Sequence, residues 1–132
     1  MKKQKNTSEI KEKKIRNLKR SRARGVEYEQ RIAKELRELG FDVCTSRSES
    51  KAMDDKKVDL IDKDGKLPYL QLKRTIKTPD YFAIKKECPL TDKPFCIIWN
   101  KQVGTEKTFR SVGELVMIDK DFFYQLIKKY YG

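Results

Sequence analysis

The chain has 132 residues, enough for one domain with a single modest core, and its formal net charge is +12. It contains no histidine, which excludes histidine-ligated zinc sites, the common catalytic triads and the histidine-dependent nucleases. No apolar run approaches the roughly 20 residues of a membrane span, and no signal-peptide core follows the basic N-terminus. We therefore expect a protein of the cytoplasm, or of the host cytoplasm if a phage encodes it. Three widely spaced cysteines suit such a reducing compartment.

The positive charge is concentrated at the N-terminus. Residues 1–24 hold eleven Lys/Arg and two Glu, a net charge of +9, while the other 108 residues carry only +3. This segment has too few apolar residues to form the apolar face of an amphipathic helix. We interpret it as a disordered or fraying arm that can become helical when it binds phosphate. A basic arm favours a nucleic-acid partner over a membrane surface. A solubilising tail is the simpler alternative.

A folded domain is predicted over residues 25–132, and its first element is an amphipathic helix. Apolar residues recur at helical spacing over residues 26–39, and Gly40 ends the pattern. Glu29 falls inside the apolar stripe, where a carboxylate is costly unless a partner or a metal compensates its charge. A glutamate at the stripe edge that reaches water or an arginine is the ordinary alternative.

The next predicted elements are three strands and a polar loop. Residues 41–46 alternate as a strand, and residues 58–62 and 67–74 form a hairpin around an Asp64-Gly65 turn. The loop at residues 47–57 is either an ordinary solvated connection or a phosphate-contacting segment. Its candidate donors are Arg47, Ser48, Ser50 and Lys51.

The second half of the chain alternates helices and strands. Asp80 caps a short helix up to residue 87, and the continuous apolar run at residues 95–99 is typical of a central strand buried on both faces. After a loop at residues 101–109, a strand at 114–118 leads into a helix at 120–130, capped by Asp119. This order predicts an α/β fold with a mixed sheet. Several aromatic side chains are expected to pack in it: Trp99, Phe122, Phe123, Tyr130 and Tyr131.

The hairpin gathers polar groups suited to a metal site. Asp59 lies near the start of the first strand, and Gln71 and Lys73, two apart on the second, share a face. If helix 26–39 lays its stripe on the sheet, Glu29 points at the same surface. The predicted ligands of one or two Mg²⁺ are the side chains of Asp59 and Gln71, the Leu72 carbonyl, and Glu29 directly or through water. Lys73 would then lower the pKa of a bound water or stabilise a pentacovalent transition state.

Four motifs in this order resemble a known family: Gly25-x-x-x-Glu29, Leu-x-x-x-Gly-Phe-x-Val at 36–43, Val58-Asp59-Leu60-Ile61 and Gln71-Leu72-Lys73. They are similar to the PD-(D/E)XK nuclease superfamily, most of all to the small archaeal-type Holliday-junction resolvases. The similarity extends over residues 25 to 100. It implies a restriction-endonuclease-like fold and a phosphodiesterase that requires Mg²⁺, with Mn²⁺ as a substitute and no organic cofactor.

The resemblance also implies roles for individual residues. Asp59 corresponds to the central metal ligand, Glu29 to the acid of the first helix and Lys73 to the catalytic lysine. Either Ser48 or Ser50 corresponds to the loop serine near the scissile bond.

Two positions depart from the family pattern. Val58 stands where proline is usual, and Gln71 replaces the second acid, as in the QxK variants among type IV restriction endonucleases. Because one negative charge fewer weakens metal affinity, a catalytically inactive nucleic-acid-binding module of the same fold is the alternative. A basic RNA- or ribosome-associated protein is a second one.

The resemblance leads to an expected substrate and assembly. We expect a Mg²⁺-dependent endonuclease acting on branched DNA such as Holliday junctions. Two cuts per junction imply a C₂ homodimer, whose interface draws on either the strand at 95–99 or the C-terminal helix. Candidate contacts to DNA are Arg22, Arg24, Arg47, Lys51, Arg74 and Lys77.

Overall fold

The computed structural model describes the backbone of residues 7–132 and the side chains of Arg20 and residues 22–132. This part of the chain contains one mixed sheet of five strands flanked by helices, which confirms the predicted α/β class. The strands are β1 (Val43–Thr45), β2 (Leu60–Asp62), β3 (Tyr69–Thr75), β4 (Phe95–Gly104) and β5 (Phe109–Met117). They lie side by side in that order, with β3 and β4 parallel and the other neighbours antiparallel.

Five helices accompany the sheet within the described residues. They are α1 (Thr7–Glu38), α2 (Ser46–Glu49), α3 (Lys51–Asp55), α4 (Tyr81–Glu87) and α5 (Lys120–Tyr131). Asp80 and Asp119 cap α4 and α5 as predicted, each accepting a hydrogen bond from a first-turn N–H. Within residues 7–132, no helix combines the length and the hydrophobicity needed to cross a bilayer.

Helix α1 begins much earlier than the sequence predicted. We expected the helix to start after Gly25, whereas residues 7–24 continue it without a break. Lysine, arginine and glutamate are strong helix formers, and their number outweighs the cost of about 1 kcal/mol for a glycine inside a helix. The predicted end is confirmed by the left-handed φ of +100° at Gly40. Residues 1–6 of the predicted arm lie outside the described residues.

The segment at residues 47–57 is not the irregular loop that the sequence predicted. It contains most of α2 and all of α3. The Ser50 hydroxyl accepts a hydrogen bond from the Met53 N–H at 3.3 Å and so caps α3. A serine that caps a helix and a serine in a solvated loop have the same sequence signature when no apolar period follows.

The predicted loop at residues 101–109 is largely strand, because β4 and β5 form a long hairpin around residues 105–108. Gln102 is buried, and its amide donates to Asn100 Oδ1 at 2.7 Å. A polar side chain that points inward and finds its hydrogen bond inside the sheet interrupts the alternation of apolar and polar residues by which a strand is recognised in a sequence.

Two hydrophobic clusters pack on opposite faces of the sheet. On one face, Tyr28 and Ile32 of α1 pack in a cluster with Leu70 and Leu72 of β3. On the other face, which α4 covers, the cluster consists of Val58, Tyr81, Cys88, Phe95, Ile97 and Trp99. Strand β4 contributes to both clusters and lies between β3 and β5, as predicted for residues 95–99.

The turn of the β2–β3 hairpin is held by one carboxylate. Asp62 accepts hydrogen bonds from the N–H groups of Asp64, Lys66 and Leu67 at 3.1, 2.7 and 2.8 Å. Gly65 adopts φ of +66°, as predicted for this turn. Because the strand that follows carries Gln71 and Lys73, this network also sets the register of the polar site.

We predict that Asp62→Ala destabilises the protein by about 1–2 kcal/mol, because three backbone donors lose their acceptor. Urea denaturation monitored by circular dichroism measures the change. Asp64→Ala, an exposed aspartate of the same turn, is the matched control and should change stability by less than about 0.5 kcal/mol. Equal effects of the two substitutions would contradict the role given to Asp62.

Candidate functional site

Asp59 is the fixed centre of the polar site. Its N–H donates to the Leu70 carbonyl at 2.9 Å, and its carbonyl accepts from the Ser46 N–H at 2.8 Å. Its carboxylate is buried, and Oδ2 accepts from the Leu72 N–H at 2.7 Å. Asp59 is therefore held from both sides, between the end of β1 and β3.

The surroundings of Asp59 disfavour its negative charge. The pKa of Asp59 is raised to about 6 from an ordinary 3.8, mainly by burial and to a lesser extent by the charges of Glu29 and Asp54. The Leu72 N–H and the ammonium of Lys73 act in the opposite direction. The structure thus brings the helix acid, the hairpin acid and the lysine close enough for their charges to interact.

Glu29 is buried, and an arginine satisfies its carboxylate. Arg47, the second residue of α2, approaches with Nε 2.9 Å from Glu29 Oε2 and with Nη2 3.3 Å from Oε1. The Glu29 side chain is 7% exposed and that of Arg47 is 37% exposed, so the arginine lies at the rim of the site. This outcome corresponds to the ordinary alternative for Glu29, a carboxylate paired with an arginine, although the pair stands beside Asp59.

Gln71 and Lys73 share a face of β3, as their spacing predicts. They pair in register with Ile97 and Trp99, whose side chains belong to the cluster on the α4 side. Glu29 comes instead from the face covered by α1. The sequence predicted all four groups above one sheet surface, whereas in the structure the charges of Glu29 and Lys73 act on Asp59 from opposite faces.

The amide oxygen of Gln71 is unusual among the described residues. Oε1 is buried and accepts no hydrogen bond from them. Burying an amide oxygen without a partner costs roughly 1–3 kcal/mol. Such an atom calls for an explanation, and a bound cation or an ordered water is the common one.

The Leu72 carbonyl points to the same side as the Asp59 carboxylate. The Leu72 N–H donates to Asp59, and in an extended strand the N–H and C=O of one residue point to the same side. The β2–β3 ladder pairs Leu60 with Leu70 and, within the described residues, reaches no further. This carbonyl is therefore a third oxygen directed at the site.

The two candidate loop serines have local partners. Ser48 donates to the Thr45 carbonyl at 2.9 Å, and Ser50 caps α3. Their predicted part in catalysis stays a prediction.

The candidate DNA contacts lie in different surroundings. Arg22, Lys51 and Lys77 are exposed, whereas Arg24 is half-buried with its guanidinium 4.4 Å from the centre of the Phe109 ring. Arg74 is half-buried, and Arg47 is engaged with Glu29.

The sequence did not predict the roles of two residues at the site, Asp54 and Arg47. Asp54 of α3 acts electrostatically on Asp59 and accepts a hydrogen bond from the buried Ser46 hydroxyl at 3.4 Å. Arg47 was predicted as a phosphate contact and not as the partner of Glu29. Neither could be found from spacing, because both arise from helices in a segment without a hydrophobic period.

The donor set suits a hard cation. Within the described part of the chain, no three His, Cys, Asp or Glu side chains are placed to hold a metal ion. A metal here would thus depend on the Asp59 carboxylate together with the Gln71 amide oxygen and the Leu72 carbonyl. Oxygen ligands of this kind, completed by water, are what Mg²⁺ and Mn²⁺ accept and what zinc does not favour.

Comparison of this chain with protein-family models, with curated proteins and with solved structures finds no match. The function therefore has to be inferred from the geometry of the site.

We predict that Asp59→Asn stabilises the protein at neutral pH. A raised aspartate pKa means that the native state keeps its full stability below the ordinary pKa of 3.8 and loses it as the pH rises through about 6. Asparagine can still accept from the Leu72 N–H but does not ionise. The gain should be on the order of 2 kcal/mol at pH 7.5 and should vanish near pH 4.

Urea denaturation of wild type and variant across this pH range tests the prediction. Asp55→Asn, an exposed aspartate on α3, is the matched control and should show no such pH-dependent difference. A stability difference between Asp59→Asn and wild type that is independent of pH would contradict the burial of a strained charge.

We also predict that Arg47→Ala destabilises the protein by about 3 kcal/mol at neutral pH, because it leaves the buried Glu29 carboxylate without a cation. In the Glu29→Gln background the same substitution should cost much less, which a double-mutant cycle measures. Lys51→Ala, a basic residue on the neighbouring α3, is the control. Additive losses would show that the ion pair contributes nothing.

Proposed function

We propose that this protein is a divalent-metal-dependent endonuclease with a restriction-endonuclease-like fold. One observation carries the proposal. Gln71, whose buried Oε1 has no hydrogen-bond donor among the described residues, precedes Leu72, and the Leu72 N–H donates to the buried carboxylate of Asp59, whose pKa is raised. An anion and a neutral oxygen that are both poorly satisfied are stabilised together by one cation. The mixed sheet and the order of the elements are compatible with that fold.

Each group at the site receives a role. Asp59, Gln71 Oε1 and the Leu72 carbonyl would hold Mg²⁺ or Mn²⁺. When bound, the cation supplies a water of lowered pKa and neutralises charge on the phosphate. Lys73, on the same face as Gln71, would orient that water or stabilise the charge that develops at phosphorus.

Glu29 and Arg47 would act together at the rim of the site. Arg47 is partly exposed, and its guanidinium can form bidentate hydrogen bonds with a phosphate as well as with a carboxylate. A backbone phosphate that approaches the site therefore competes with Glu29 for the guanidinium. Glu29, released in this way, would be free to accept a hydrogen bond from a water at the site.

The distribution of charge supports a nucleic-acid substrate. Residues 1–24 carry a net charge of +9, and residues 7–24 belong to α1; this basic segment would act as an electrostatic clamp on the DNA backbone. Exposed Arg22, Lys51 and Lys77 would add contacts. Branched DNA, such as a Holliday junction, is the proposed substrate, and two symmetric cuts would require a homodimer.

A catalytically inactive module that only binds nucleic acid is the second candidate. The observation that favours it is the ion pair of Glu29 with Arg47, which removes one carboxylate from the ligand set. Under this alternative, binding persists in EDTA with a steep dependence on salt, and Asp59→Asn changes neither cleavage nor metal dependence.

We predict that the purified protein cleaves at least one of four DNA substrates in Mg²⁺ or Mn²⁺ and none in EDTA. The substrates are a four-way junction, a flap, a nicked duplex and a linear duplex. Asp59→Asn and Lys73→Ala should each lower the cleavage rate by at least about 100-fold while binding to the same DNA survives.

Matched controls come from the turn of the same hairpin. Asp64→Asn and Lys66→Ala change the same residue types at exposed positions and should leave the rate unchanged. Intact substrates in every metal condition, with DNA bound, would exclude the nuclease and favour the inactive module. Structured RNA bound as tightly as branched DNA would favour an RNA-associated protein.

A further inference from the structure

Helix α5 is apolar over far more of its surface than it buries. At 100° per residue, its apolar positions from Phe122 to Tyr124 span an arc of roughly 200°. Phe122, at one edge of the arc, packs against the core, and no residue of α5 is buried within the described chain. We predicted Phe123, Tyr130 and Tyr131 as packing residues, and the structure instead leaves all three exposed.

The exposed area is large for a monomer. Six apolar side chains of α5 are 37% to 82% exposed: Phe123, Tyr124, Leu126, Ile127, Tyr130 and Tyr131. From these fractions and aromatic side-chain areas of about 150–250 Å², the four aromatic side chains alone present roughly 400–670 Å² to solvent, and Leu126 and Ile127 add to it. The largest apolar patch of a typical monomer covers roughly 300–600 Å². About 800 Å² is what each partner contributes to an interface of standard size.

The centre of this surface is complementary to itself. Phe123, Leu126, Ile127 and Tyr130 lie on one stripe, and their order is aromatic, aliphatic, aliphatic, aromatic. The stripe therefore has the same character in both directions. When two copies are paired antiparallel about a two-fold axis, Phe123 meets Tyr130 of the second copy, and Leu126 and Ile127 lie beside the axis, next to the same residues of the second copy.

The charges favour the antiparallel arrangement. Lys128 and Lys129 stand in the last turn of α5. A parallel pair would bring four ammonium groups together at one end. The antiparallel pair separates them, two at each end.

The fold removes the other interface that the sequence left open. The strand at residues 95–99 belongs to β4, which is hydrogen-bonded to β3 on one side and to β5 on the other. It has no free edge for a second copy. We infer that this protein forms a two-fold symmetric dimer through antiparallel packing of α5 against α5 of a second copy.

The mass of the full chain in solution tests the inference without DNA or metal. Light scattering at micromolar concentration should give twice the 15.7 kDa mass of the chain. Leu126→Glu and Ile127→Lys should each weaken self-association by about tenfold or more, because each places an unpaired charge in the apolar centre. Phe123→Glu alone should weaken the dimer likewise, and the double variant Phe123→Glu/Tyr130→Lys should restore it, since antiparallel pairing sets the new carboxylate opposite the new ammonium of the second copy.

The controls separate folding from association. Leu39→Glu introduces the same charge at an exposed leucine directly after the end of α1 and should leave the dimer intact. Circular dichroism should show all variants folded, because the changed positions are exposed. A wild-type monomer, or dimers that all variants keep, would overturn the inference, and a double variant that stays monomeric would overturn the antiparallel pairing.

Other binding partners of the exposed face of α5 would give different results. A wild-type monomer that floats with anionic lipid vesicles, and loses this binding with Leu126→Glu, would identify a membrane surface instead. Because none of these readouts involves cleavage, failure of the nuclease proposal would leave the dimer standing, and the reverse holds as well.

Discussion

The site depends on the burial of one carboxylate. Asp59 lies between β1 and β3 with a single backbone N–H on its carboxylate, and its pKa is raised to about 6. A protein gains nothing in stability from such a residue at neutral pH, since burial of the charge costs free energy. The cost becomes understandable if the charge serves a ligand that compensates it, because functional sites are where such strain is retained.

The groups around Asp59 form a near balance of charge. Glu29 and Asp54 add negative charge, and Arg47 and Lys73 oppose it. If the site binds a divalent cation as we propose, this balance keeps it intact before the cation arrives. Under the same proposal, Arg47 at the rim can satisfy Glu29 until a phosphate approaches.

The sequence predicted the parts of the site that follow from local periodicity. Gln71 and Lys73 share a face because they are two apart on a strand, and Gly40 ends α1 because it tolerates a positive φ. The approach of Glu29 to Asp59 was expected from the position of Glu29 inside the apolar stripe of a helix that packs on the sheet, and the resemblance of the motifs implied the same.

The remainder of the site depends on contacts that no local pattern contains. Arg47 reaches Glu29 because a short helix follows β1, and Lys57 adopts φ of +66°, which its residue type does not suggest. The hairpin at residues 101–109 was missed because Gln102 is satisfied inside the sheet by Asn100. The extent of α1 was missed because helix propensity summed over a charged segment outweighed one glycine.

The most direct measurement is a crystal structure of the full chain soaked in Mn²⁺, with anomalous scattering used to locate the metal. Our account predicts a peak about 2.1–2.4 Å from an Asp59 carboxylate oxygen, from Gln71 Oε1 and from the Leu72 carbonyl oxygen. The same crystal form of Asp59→Asn should lack that peak. A fully soaked wild-type crystal with no manganese at Asp59, or with Gln71 Oε1 bonded only to protein or water, would contradict the account.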